Sequence, residues 1–234
     1  MKAIEKSGGR VGILSTAFLV SVPVLLGYIA IGIAFGLLFA SAGFPWYLAP
    51  AMSLLVYAGA AQFMAVGLLG AHAGLAEIAV TTLLINARHM VYGLSLLSRF
   101  EQAKPYRPYL IFALTDETYG LLTTVEAPER HRGRFYAAVA ALDQSYWIVG
   151  TAIGALIGAV IPFDTRGLDF ALTALFVVLF IEQTRSVKNV LPYAIAALST
   201  AASYLALGKR NLLVGALGLS VALLVAARRR IEHA

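Results

Sequence analysis

The sequence predicts an all-α polytopic membrane protein with about 7–8 transmembrane helices, forming a single transmembrane domain over residues 1–234. Three observations predict it. The chain is 60% hydrophobic and 13% charged, with a mean hydropathy of +0.81, whereas a soluble domain carries about 25% charged residues. Apolar runs of about 15 to 26 residues recur to the end of the chain, near the ~20 that a helical span needs. The basic residues fall between those runs, at Met1–Arg10, Arg99–Arg107, Arg130–Arg134, Arg185–Lys188, Lys209–Arg210 and Arg228–Arg230. With no basic stripe on a soluble face, the net charge of +6 is expected to set topology and not to bind nucleic acid. The absence of cysteine excludes disulfides, thiolate zinc sites and iron–sulfur clusters.

Eight hydrophobic segments follow in order, at about 13–40, 47–70, 74–97, 108–125, 136–161, 169–183, 190–206 and 212–228. The first carries Pro23 and Gly32-x₃-Gly36, a close-packing signature. It is too long for the 7–15-residue core of a signal peptide, so Ala40-Ser41-Ala42 is not expected to be a cleavage site. The second contains Tyr57-Ala58-Gly59-Ala60-Ala61-Gln62-Phe63, where Gly59 permits a broken helix or a close helix contact. The fifth holds Gly150-x₃-Gly154-x₃-Gly158, a tandem seam for a neighbouring helix. The last three segments are short for a span, and Pro192 opens the seventh. Glu182-Gln183 closes the sixth beside Arg185, where snorkelling to the interface accounts for it.

Eight spans would put both termini on one side. Counting Lys and Arg with both termini cytoplasmic gives eleven inside and six outside, with Arg88 within a span. The Arg99–Arg107 stretch runs against this orientation. An odd number of spans per half would also allow the first six segments to form a three-plus-three inverted repeat, with a site at the midplane between the halves.

Asn86-Ala87-Arg88-His89 lies in the middle of the third segment. An arginine at a bilayer centre costs roughly 2.5–3.5 kcal/mol on insertion scales, so it needs a partner or a hydrated cavity. Asn86 and His89 share a helical face, with Tyr92 one turn above Arg88. Asp116-Glu117 in the fourth segment and Asp143-Gln144 in the fifth lie at comparable depth, and any of the three carboxylates could pair with Arg88. These groups are expected to line a polar cavity. A buried ion pair that fixes helix register is the plainer alternative. His89 could equally be a hydrogen-bonded spacer. If the second segment breaks at Gly59, the free N–H groups of the half-helix would face an anion. H-E-x-x-H, G-x-S-x-G and Walker A patterns are absent, so neither hydrolytic chemistry nor intrinsic ATP drive is expected, and no cofactor is implied.

Four blocks together resemble the AzlC family, the large subunit of branched-chain amino acid exporters. They are Gly36 with Tyr57–Phe63; Asn86-Ala-Arg88-His89-Met-Val-Tyr92-Gly93; Leu114-Thr115-Asp116-Glu117; and Trp147-Ile-Val-Gly150-Thr151 with Gly154. They occur in the family's order across about residues 20–185. The resemblance implies a multi-pass cytoplasmic-membrane exporter of apolar amino acids and a small AzlD-type membrane subunit as partner. On the matching positions, substrate contact is expected from Tyr57, Gly59, Gln62, Asn86, Arg88 and Asp116. Proton coupling or gating is expected from Glu117, Asp143 and His89. Arg88 or the Gly59 break would hold the substrate carboxylate, and Asp116 or Glu117 would meet its ammonium. A passive channel for a small metabolite or ion is the alternative, and a membrane-embedded enzyme using His89 with Asp116 is a third.

Overall fold

The computed structural model describes residues 10–101, 103–125, 127, 131–161, 177, 190–208 and 212–226. The described residues contain helices and no strand. They are α1 (Arg10–Ser41), α2 (Leu48–Leu55), α3 (Gly59–Gly70), α4 (Leu75–Glu101), a 3₁₀ turn at Lys104–Tyr106, α5 (Arg107–Phe112), α6 (Asp116–Thr124), α7 (Arg132–Val160), α8 (Leu191–Leu207) and α9 (Leu212–Ala226). Among them, Gly12–Ser41 alone is long and apolar enough by itself to cross a membrane. The sixth segment expected from the sequence, with Glu182 and Gln183, lies outside the described residues apart from Val177.

The chain divides into two units, Met1–Gly70 with Asn86–Asp169, and Ala71–Ile85 with Phe170–Ala234. The first is organised on α1 and α7. Ile29, Ile33 and Leu37 of α1 meet Gly150, Gly154 and Gly158 of α7 in that order, so the two helices run parallel. The approach is as close as backbone allows: a Cβ at Gly36 would collide with the Thr151 carbonyl, and one at Gly154 with that of Ile33. Both small-residue seams are therefore packing surfaces, as their spacing suggested. Ser21 and Tyr146 add a buried hydroxyl–hydroxyl hydrogen bond of 2.9 Å between the same helices.

The second and fourth hydrophobic segments do not cross this frame. Each is a helix, a break and a helix that turns back. Along α2, Ser53 donates to Thr151 (2.9 Å), while the Leu54 carbonyl accepts from Gln144, nearer the N-terminal end of α7. After the break, α3 retreats: Gly59 lies against Trp147, and Phe63 reaches Phe35 of α1 at 5.3 Å between ring centres. The hairpin α2–α3 thus enters from the C-terminal end of α7 and returns there.

Its counterpart enters from the other end. Gly133, in the first turn of α7, abuts Ala103 and Tyr106 just before α5. Tyr109 then reaches Gln144 (2.8 Å) and Thr115 reaches Tyr28 (2.7 Å), after which Thr118 meets Asp143 (2.9 Å). Arg99 at the end of α4 donates to the carbonyl of Leu122 (2.7 Å), capping the returning α6. The fourth segment is thus re-entrant, and the straight crossing expected for it is corrected. Six and nine residues are too few to span, and the break has a local cause. Thr115 accepts from the Thr118 N–H, while Asp116 and Glu117 fill the first turn, so this sequence starts a helix where a span would continue one.

This topology removes the conflict in the charge count. The basic stretches around Arg99–Arg107 and at the start of α7 lie at one end of the unit, and α1 also begins there. The interruptions fall in the second and fourth segments, which are not corresponding positions of two three-segment halves.

In the second unit, α8 and α9 pack against each other, with Gly215 against Ser203 and Leu207. At 17 and 15 residues both are short for a straight span, as their sequence suggested. Gly208, with φ of 68°, terminates α8.

Candidate functional site

The tips of the two hairpins come together near Asp143. The first tip is strained. Tyr57 has φ of 45°, a left-handed conformation that costs a bulky residue about 1–2 kcal/mol. The break expected at Gly59 falls at Val56–Ala58 instead, and Gly59 opens α3. Its missing side chain is used by Trp147, whose ring edge would lie 3.3 Å from a Cβ there.

A closed chain of hydrogen bonds holds this tip. The Trp147 indole N–H donates to Gln62 Oε1 (2.9 Å), and Gln62 Nε2 donates to Ser53 (3.0 Å). Ser53 donates to Thr151 (2.9 Å), whose hydroxyl donates to the Trp147 carbonyl (2.7 Å). Gln62 is fully buried, and both ends of its amide are occupied. It ties α2, α3 and α7 together.

The second tip is bound to α1 and α7. The Tyr28 hydroxyl lies 2.7 Å from Thr115 Oγ1 and donates to Glu117 Oε2 at 2.7 Å. Thr118 donates to Asp143 Oδ2 (2.9 Å), and Thr115 to Thr118 (3.1 Å). Asp143 is fully buried, yet its Oδ1 has no partner. The Tyr57 hydroxyl, facing Tyr28, Thr118 and Asp143, is also buried and forms no well-aligned hydrogen bond. Two buried polar atoms without partners, at the junction of two broken helices, have the chemistry of an empty ligand site.

Arg88 pairs with Asp116 at 2.9 Å, which settles the three-way choice the sequence left open. The pair is partly exposed, at 35% and 26% of the side-chain surface. Arg88 Nε, Asp116 Oδ1 and Asn86 Oδ1 are buried without hydrogen-bond partners. His89 lies beside Tyr92, which stacks on Tyr119 of α6 at 4.4 Å. Ser95 donates to the Tyr119 hydroxyl at 3.2 Å. With Arg88 matched by Asp116, Glu117 and Asp143 are two carboxyls without an ion pair among the described residues. No group of three or more His, Asp or Glu among those residues could hold a metal ion.

The structure thus brings Tyr57, Gly59, Asp143 and Glu117 to the hairpin junction, and joins Arg88 to Asp116 beside it. Sequence reasoning missed Tyr28, Ser53, Thr115, Thr118 and Trp147. The signal for Thr115 was present: Thr-Asp-Glu-Thr inside an apolar run is a helix start with acidic residues in its first turn. Tyr28 and Trp147 carried no such signal, because their roles come from partners 85 to 89 residues away in sequence.

A family model described as AzlC protein matches residues 23–161. The chain is 34% identical over 221 residues to the branched-chain amino acid transport protein AzlC of Bacillus subtilis, covering 94% of this chain and 87% of that one. An uncharacterized membrane protein of Helicobacter pylori strain J99 is 41% identical over 219 residues, with 92% and 95% covered. The inner membrane protein YgaZ of Escherichia coli is 34% identical over 164 residues, 67% of each chain. No solved structure matches.

Proposed function

The chain belongs to the AzlC family, and on that premise we propose that it exports branched-chain or other apolar amino acids across the cytoplasmic membrane. In this reading it is a proton-coupled secondary transporter, the large subunit of a permease completed by a small AzlD-type membrane subunit. The observation that carries the reading is the junction of two opposed, interrupted helices, where Tyr57 and Asp143 keep unpartnered polar atoms. Membrane transporters build midplane sites from such broken helices.

The zwitterion fits the junction by charge. The first turn of α3 contains no acidic residue, so its free N–H groups and the positive end of its dipole suit a carboxylate. The α6 N-terminus is already matched by Asp116 and Glu117. Arg88 is matched by Asp116, which makes α3 the better carboxylate site of the two the sequence offered. Asp143 Oδ1 and the Tyr57 hydroxyl then receive the ammonium. A zwitterion adds no net charge, so one unpaired carboxyl remains, and in low dielectric it calls for a proton or another cation. Glu117, held by Tyr28, is that residue and the proposed coupling group. Side-chain discrimination is worth about 1–3 kcal/mol per methylene, so a broad apolar range is expected.

Charge supports cytoplasmic termini. The N-terminal tail, the stretch 98–107 and the stretch 126–135 each hold three Lys or Arg, while residues 41–46 hold none. The test uses proteoliposomes with both subunits, loaded with labelled leucine. Efflux driven by a proton gradient, lost with an uncoupler and lost in Asp143→Asn, is expected. Wild-type vesicles that retain leucine under the gradient would refute the reading, whereas efflux indifferent to the uncoupler would favour a passive channel.

A further inference from the structure

We infer that residues 48–101 and 105–158 are two copies of one inverted unit, a re-entrant hairpin followed by a long helix. From this it follows that Asn86 is the ligand-binding counterpart of Asp143. The inference rests on the transport reading above for the identity of the ligand.

Three boundaries carry it. The first half-helix of each hairpin ends at Leu55 and at Phe112; the second begins at Gly59 and at Asp116; the long helix begins at Leu75 and at Arg132. Each pair is separated by the same 57 residues. The hairpins insert from opposite ends of α7, so the copies are inverted and not merely repeated. This places the chain's two breaks at equivalent positions, which the three-plus-three scheme does not. Few identities survive the shift; Gly93 matching Gly150 is one.

The same shift superimposes Asn86 on Asp143. Each is the twelfth residue of its long helix. Each keeps a buried side-chain oxygen with no partner, Asn86 Oδ1 and Asp143 Oδ1. Two equivalent positions retaining the same unmet hydrogen-bonding need argue for a shared ligand, since a buried polar atom is costly unless something fills it. Their difference in charge has a chemical reason. With one carboxylate and one amide, the two positions carry a single negative charge to match one ammonium, whereas two carboxylates would call for a dication. In an inverted pair the two hairpins exchange roles as the site opens to either side, so the ammonium would be handed between Asp143 and Asn86.

Binding of labelled leucine to the purified chain with its small subunit in nanodiscs tests this. Asn86→Ala and Asp143→Asn should each weaken binding at least about tenfold. The exchange variant, Asn86→Asp with Asp143→Asn, should return to within about threefold of wild type. Binding by Asn86→Ala equal to wild type, or an exchange variant no better than Asp143→Asn, overturns the inference. A wild-type complex that binds no leucine instead defeats the functional reading. The repeat is then judged by thermal melting: an exchange variant melting at or above the better single variant, Asn86→Asp or Asp143→Asn, supports it, and one melting below both refutes it.

Discussion

Gly154→Ala adds a single methyl group at the tightest point of the α1–α7 contact. The new Cβ would collide with the Ile33 backbone carbonyl, and a main-chain atom cannot rotate away as a side chain can. Ordinary contact would need the helices to part by roughly 1 Å, and overpacking of this kind costs about 1–3 kcal/mol. The Ser21–Tyr146 hydrogen bond, now 2.9 Å, would lengthen beyond bonding range, and a hydrogen bond contributes about 0.5–1.5 kcal/mol net. Against this, Gly→Ala within a helix returns about 0.5–1 kcal/mol. The net expectation is about 1–3 kcal/mol of destabilisation. Gly27→Ala is the matched control: it lies on α1 with nothing within 4 Å of a Cβ, so only the helix-propensity gain remains. Fluorescence-detected gel filtration of heated, detergent-solubilised protein reads both. Gly154→Ala should melt several degrees below wild type and Gly27→Ala at or above it. If the two variants melt together, the parallel glycine seam is not where α1 and α7 meet.

Because the chain contains no cysteine, single introduced cysteines report topology directly. Ser98→Cys and Ala127→Cys should react with an impermeant maleimide from the same side and Gly43→Cys from the other; labelling of positions 98 and 127 from opposite sides would show that α5–α6 crosses the membrane. Gln62→Leu should strand the Trp147 indole N–H, while Ser53 keeps its bond to Thr151, costing about 1–3 kcal/mol and shifting tryptophan emission; unchanged emission and melting would show that the amide does not hold the tip. Arg88→Gln and Asp116→Asn should each reduce accumulation in the membrane, and the double variant should restore it, because only the singles leave an unmatched charge; a double variant as poor as either single, measured by immunoblot of membrane fractions, would separate the two residues.

What could be read in the sequence was whatever depends on neighbours along the chain. Composition and apolar run length gave the all-α membrane class, and the glycine spacing of segments one and five gave their seam, because four residues return a helix to the same face. The anomaly of Arg88 was plain from its cost alone. Its partner was not, since Asp116, Glu117 and Asp143 lie at similar depth and only packing brings one of them to 2.9 Å. Hydropathy counts apolar residues without direction, so a hairpin that enters and returns looks the same as a helix that crosses. That difference is made by contacts such as Gly133 against Ala103 and Phe63 against Phe35. The sequence by itself determined which residues are too polar for their surroundings. Only the tertiary structure decided which of them satisfy one another, as Gln62 and Trp147 do, and which, as Asp143 and Tyr57, are left with a hydrogen bond to offer.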